Sequence, residues 1–180
     1  MKSKEKLFFI ALVPPEPLLT KVAELKQKVA IEFGVRAALK SPPHITLHMP
    51  FKLKERKEIE LLGVLEKIKI EPPTVQFHGI GSFEPRVLFL KILESPGLHI
   101  LEKTVHSYLK PIQIFNNQYK GKPFHPHLTL AFRDLKKEAF YTAWERYKAL
   151  SFESQFVANE FSLLKHNGSV WEVYKTFSLR

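Results

Sequence analysis

The chain has 180 residues, enough for one domain with a sizeable core, and its apolar (44%) and charged (26%) shares are those of an ordinary globular protein. It has no cysteine, which excludes disulfides, thiolate metal sites and cysteine nucleophiles and fits a cytoplasmic setting. Against 18 acidic residues stand 28 Lys and Arg, a net charge of +10 that favours polyanionic partners such as RNA or nucleotides.

Lys2, Lys4 and Lys6 precede the apolar run from Leu7 to Val13, which superficially resembles a secretory signal. Pro14-Pro15-Glu16-Pro17 then stands where small cleavage-site residues belong, so the run reads as a buried first strand. Leu18, Leu19, Val22, Leu25, Val29 and Phe33 recur at helical spacing, with Gly34 as the stop. Ser41-Pro42-Pro43 forces extended backbone into a strand from about His44 to Phe51. Residues 54–69 alternate charge with Ile59, Leu62, Leu65 and Ile68, a surface helix ended by Pro72-Pro73.

Val75 to Ile80 and Arg86 to Ile92 read as an antiparallel hairpin turning at Gly81-Ser82-Phe83-Glu84-Pro85. Pro96-Gly97 opens a helix carrying Leu98, Leu101, Val105 and Leu109, and a loop over 113–124 follows. A strand from His127 to Phe132 and a helix from Glu138 to Leu150 come next. Phe152 to Leu164 and Val170 to Leu179 read as two long strands joined by a turn at Asn167-Gly168.

One short frame occurs twice: Pro43-His44-Ile45-Thr46-Leu47 and Pro126-His127-Leu128-Thr129-Leu130. On a strand, residues two apart share a face, so each copy presents one imidazole beside one hydroxyl. Two such pairs around one anion would supply a base, an acid and two hydrogen-bond donors, which is what a phosphodiester displacement needs. The alternative is two buried strands with core histidines. The elements around the copies repeat in the same order, so the chain reads as a single bilobal domain over 1–180, with halves 1–95 and 96–180 sharing one cleft.

The paired His-x-Thr motifs resemble the 2H phosphoesterase superfamily. Phe124-His125-Pro126-His127-Leu128-Thr129-Leu130 is similar to its bacterial 2′-5′ RNA ligase (LigT-like) branch, as are Gly81-Ser82-Phe83 with Arg86 to Phe89 and the closing Glu160-Phe161-Ser162-Leu163. The resemblance implies an α+β fold, pseudo-duplicated, of two antiparallel sheets around a central cleft with helices outside. It implies a metal-independent enzyme without cofactors, acting on RNA 2′,3′-cyclic phosphate ends by hydrolysis to a 2′-phosphate or by 2′-5′ joining. His44 and His127 would be the acid–base pair, with Thr46 and Thr129 holding the phosphate.

Phe83, Arg86, His125, Arg133, Lys52 and His48 are further candidates for substrate contact, Phe83 as a platform for a base. Phe115 fits ordinary core packing better. His44, His48, His125 and His127 share strand parity and would also fit a metal, but no carboxylate or thiolate accompanies them, so no metal is expected. A monomer acting on RNA ends or a small cyclic nucleotide, away from membranes, is the partner reading. The rivals are a nucleotide- or RNA-sensing module with the same cleft and a phosphodiesterase for small cyclic nucleotides.

Overall fold

The computed structural model describes residues 5–116 and 121–180. The first strand, β1 (Glu5–Leu12), is buried on both faces, which accounts for its unbroken apolar run. Phe8, Ile10 and Leu12 enter the main core, while Phe9 and Ala11 face the other way with Leu164 and Trp171. Helix α1 (Leu18–Phe33) starts where the Glu16 carboxylate accepts the Thr20 N–H and hydroxyl. It stops at Gly34, whose φ of 66° is the left-handed turn a glycine adopts without strain.

After a short 3-10 turn (Ala37–Lys40) come β2 (Ile45–Lys54), α2 (Glu58–Glu66), β3 (Thr74–Phe83) and β4 (Val87–Ile92). The rest of the chain forms α3 (Pro96–Leu109), β5 (His127–Ala131), α4 (Lys137–Tyr147), β6 (Glu153–Val157), β7 (Glu160–His166) and β8 (Trp171–Ser178). No helix among the described residues is long and apolar enough to cross a membrane.

The fold is the expected α+β one, and two details of its architecture differ from the expected outline. The eight strands form one antiparallel sheet, in the order β6-β3-β4-β5-β2-β1-β7-β8, rather than two. The cause is a seam at its middle, where β2 and β5 pair through Ile45 and Leu128. Both residues are fully buried, and each contributes about 1.5–3 kcal/mol through the apolar surface it removes from water. The half-sheets on either side of the seam also do not follow the halves 1–95 and 96–180. Strands β3 and β4 sit beside β5, whereas β7 and β8 return to β1 and β2. The helices cross in the same way, α1 packing on β5 and α3 on β2.

The long strand expected over Phe152 to Leu164 is two strands on opposite flanks. β6 pairs with β3, and β7 pairs with β1. Only Ala158 and Asn159 separate them. Three Cα steps reach roughly 10 Å, so the sheet must curl until its flanks nearly meet. Backbone bonds from Ala158 N–H to the Pro73 carbonyl and from Leu179 N–H to the Asn159 carbonyl, both 2.9 Å, hold that junction.

Candidate active site

The seam puts the two motifs together. Because β2 and β5 are antiparallel and Ile45 faces Leu128, one step outward sets Thr46 opposite His127 and His44 opposite Thr129. The aliphatic residues Ile45, Leu47, Leu128 and Leu130 point into the core, and the four polar side chains share the other, partly open face. Each histidine therefore neighbours the threonine of the other motif as well as its own.

Both imidazoles are held by the same device. The Nδ1–H of His44 donates to the Pro42 carbonyl at 2.7 Å, and that of His127 to the His125 carbonyl at 2.7 Å. A carbonyl only accepts, so the proton resides on Nδ1 and the neutral ring keeps its lone pair on Nε2. The proline between carbonyl and histidine explains the shared frame. Pro43 and Pro126 hold the preceding residue extended, which aims its carbonyl back at the ring.

Burial lowers the pKa of both histidines, since desolvation penalises the imidazolium. His44 is pushed down to about 4, with the charges of Lys26 and His127 adding to the effect and the Pro42 carbonyl opposing it. His127 is also lowered, by burial and by His125, against the pull of the His125 carbonyl.

An aromatic wall backs each ring. Phe9 lies 4.8 Å from His44 and carries Trp171 edge-on at 4.7 Å. Phe89 lies 5.1 Å from His127, with Phe83 at 5.0 Å from the same ring and 4.5 Å from Phe89. Gly81 pairs with Phe89 across β3 and β4, and a Cβ there would collide with the Phe89 ring and the Lys91 side chain. The Gly81-Ser82-Phe83 run thus makes room for one aromatic and supplies the next.

A cleft of about 480 Å³ opens beside Thr46 and His127, lined in part by His106, Lys110, Lys122 and His125. The His106 ring is fixed from both sides, with Nε2–H donating to the Leu47 carbonyl at 3.1 Å and Nδ1 lying 3.3 Å from Glu102.

Of the candidate residues, the structure brings His44, Thr46, His127, Thr129, Phe83 and His125 together. His48 is displaced from them. Ala11 pairs with Thr46 but Ile10 pairs with His48, so Leu47 is an extra residue that turns His48 to the opposite face. There His48 is 1% exposed, against Phe51 and His106. The four-histidine metal reading loses its geometry, and no group of three or more possible ligands occurs among the described residues.

Lys52, beyond a second irregularity in β2, is exposed and pairs with Leu7, outside the cleft lining. Arg133 lies over the Phe132 ring at 4.9 Å, and exposed Arg86 sits in the β3–β4 turn with no ion pair to Glu84. Phe115, expected in the core, is 52% exposed and lines the cleft. Phe9, Phe89, Trp171, His106 and Lys26 escaped the sequence reading. Lys26 had a usable signal: it falls between Val22 and Val29 on the apolar face of α1.

Residues 14–169 match the family model described as the 2′-5′ RNA ligase superfamily. A protein of Geobacillus thermodenitrificans strain NG80-2 with a provisional phosphoesterase name is 32% identical over 145 residues, 76% of this chain and 78% of its own. One from Halalkalibacterium halodurans, named in the same way, is 29% identical over 179 residues, covering 94% and 95%. Among solved structures, TT0787 of Thermus thermophilus is 26% identical with a TM-score of 0.69, over 97% of this chain and 98% of its own. Escherichia coli LigT, solved with 3′-AMP, shares the fold at 20% identity and a TM-score of 0.66, over 98% and 99%.

Proposed function

Because the chain belongs to the 2′-5′ RNA ligase superfamily of 2H phosphoesterases, we propose that its cleft opens 2′,3′-cyclic phosphates at RNA ends, with His44 and His127 as the acid–base pair. The observation that carries this reading is the matched pair of Nδ1–H bonds to the Pro42 and His125 carbonyls, which leaves both Nε2 atoms for the substrate.

In this mechanism the His44 Nε2 takes a proton from water as its oxygen attacks phosphorus. The bond from phosphorus to the ribose O3′ breaks, and the His127 Nε2–H protonates the departing oxygen, leaving a 2′-phosphate. Burial and the nearby Lys26 charge hold His44 at about 4, which keeps its Nε2 free to take the proton from water. The Thr46 and Thr129 hydroxyls donate to the non-bridging oxygens, where charge grows in the transition state. Strain in the five-membered ring supplies the activation, so the step consumes no nucleotide.

The test is to incubate the protein in EDTA with a nucleoside 2′,3′-cyclic phosphate and with an oligonucleotide bearing that end. Release of 2′-phosphate, lost in His44→Ala and His127→Ala, is the expected result. Turnover that survives both substitutions would sink the mechanism, and turnover of the mononucleotide alone would sink RNA as the substrate.

A further inference from the structure

We propose that Lys26 on α1 is a positioning residue for His44, tethering the chain at Ser41 and setting a buried positive charge near the ring. The inference rests on the reading above, in which His44 is the base.

Lys26 is 3% exposed and lies between Val22 and Val29 on the apolar face of α1. A methionine would fill that place without an ammonium, which is costly to take out of water. The Lys26 Nζ has one hydrogen-bond partner among the described residues, the Ser41 carbonyl at 2.9 Å. No carboxylate pairs with it among those residues.

The place of that bond in the chain gives it a use. Ser41 is extended, and Pro42 and Pro43 follow it with no N–H to donate. The segment is held through its carbonyls instead: Ser41 accepts from Lys26, and Pro42 accepts from the His44 Nδ1–H at 2.7 Å. Because proline fixes φ between the two carbonyls, a shift at Ser41 passes on to Pro42. Lys26 thus steadies the acceptor that keeps the His44 proton on Nδ1 and its Nε2 free.

The charge acts on the same ring. Lys26 from α1 and His127 from β5 are the groups whose charges lower the pKa of His44, since like charge disfavours the imidazolium. β1 faces that ring with the uncharged Phe9, and Lys40, near Lys26, is exposed to screening by solvent. Burial lowers Lys26 to about 8, well above the value of about 4 at His44, so the ammonium persists while the imidazole titrates. Lys26 is the one buried lysine among the described residues, so His127 has no counterpart to it. The asymmetry suits the two roles, because a base must begin turnover unprotonated.

The test compares Lys26→Met, which removes tether and charge, with Lys26→Gln, which keeps a donor and removes the charge. In nitrogen-15 NMR, over the pH range where the proteins stay folded, the His44 ring should titrate higher by ~0.5 pH or more in both. Lys26→Met should also lose the Nδ1–H form of His44, with kcat lowered ~5-fold or more. An unmoved His44 titration in the variants, or the wild-type tautomer and kcat in Lys26→Met, overturns the proposal. Lys26→Gln decides the titration alone if Lys26→Met fails to fold. The NMR needs no substrate, so absence of cyclic phosphate hydrolysis by the wild type overturns the underlying reading of His44 instead.

Discussion

Ile45 and Leu128 pair at the seam of the sheet, and the histidine and threonine of each motif are set one residue to either side of them. Their own side chains only fill the core, yet their pairing decides which hydroxyl meets which imidazole. Leu128→Ala should therefore cost about 2–5 kcal/mol in urea denaturation, the range for a buried leucine. It should also lower kcat under conditions where the variant is fully folded. Loss of stability with unchanged kcat would show that the seam supports the fold without aligning the site.

The two prolines predict a tautomer. Nitrogen-15 NMR at neutral pH should find His44 and His127 neutral and protonated on Nδ1, bonded to the Pro42 and His125 carbonyls. Pro43→Ala and Pro126→Ala should each admit the other tautomer and reduce kcat.

Thr46→Ala and Thr129→Ala should each lower kcat by about 10²–10³ with little change in KM, as for a donor that engages the transition state. Serine at either position should recover most of the rate. Equal losses in serine and alanine variants would mean that the methyl group, not the hydroxyl, matters.

Gly81→Ala tests the wall behind His127. The added carbon meets the Phe89 ring and Lys91, and relieving that clash should cost roughly 1–3 kcal/mol. A lower kcat with a near-normal KM is expected, because Phe89 packs on His127, the proposed acid.

Acid should weaken the fold through the histidines. His44 and His48 are each held at about 4 against an ordinary 6.5. The unfolded chain binds protons there first, so stability is full above pH 6.5 and is lost as pH falls toward 4. For buried His48 the loss is on the order of 3 kcal/mol. His48→Leu should reduce the acid sensitivity of thermal melting while leaving turnover in place, since His48 lies away from the cleft face. The pH profile of kcat/KM should be bell-shaped with its maximum below 6.5, because both depressed groups belong to the free enzyme.

Period-two logic was enough to put His44 with Thr46 and His127 with Thr129 on one face, because strands alternate faces over short stretches. The same logic failed two residues later at His48, where a bulge inverted the alternation and nothing local announced it. Phe152 to Leu164 looked continuous because its apolar spacing runs through Ala158 and Asn159, while the separation of β6 from β7 depends on distant partners. Phe9, Phe89 and Trp171 were hidden for another reason: an aromatic on a strand looks like core from sequence, and these are core on one edge and site wall on the other. Lys26 is hard to single out among 28 basic residues, although its helical phase puts it on the buried face of α1.

The exchange of strands between the half-sheets bears on how the chain is made. A ribosome that has released residues 1–95 has delivered β1 to β4, but β1 pairs with Ser162–Lys165 and β4 with β5, neither of which yet exists. β4 keeps an unsatisfied edge until β5 emerges, and β1 keeps one until the last quarter of the chain does; such edges recruit neighbouring chains. The nascent protein thus has a window of vulnerability set by its connectivity, closed when β7 reaches β1.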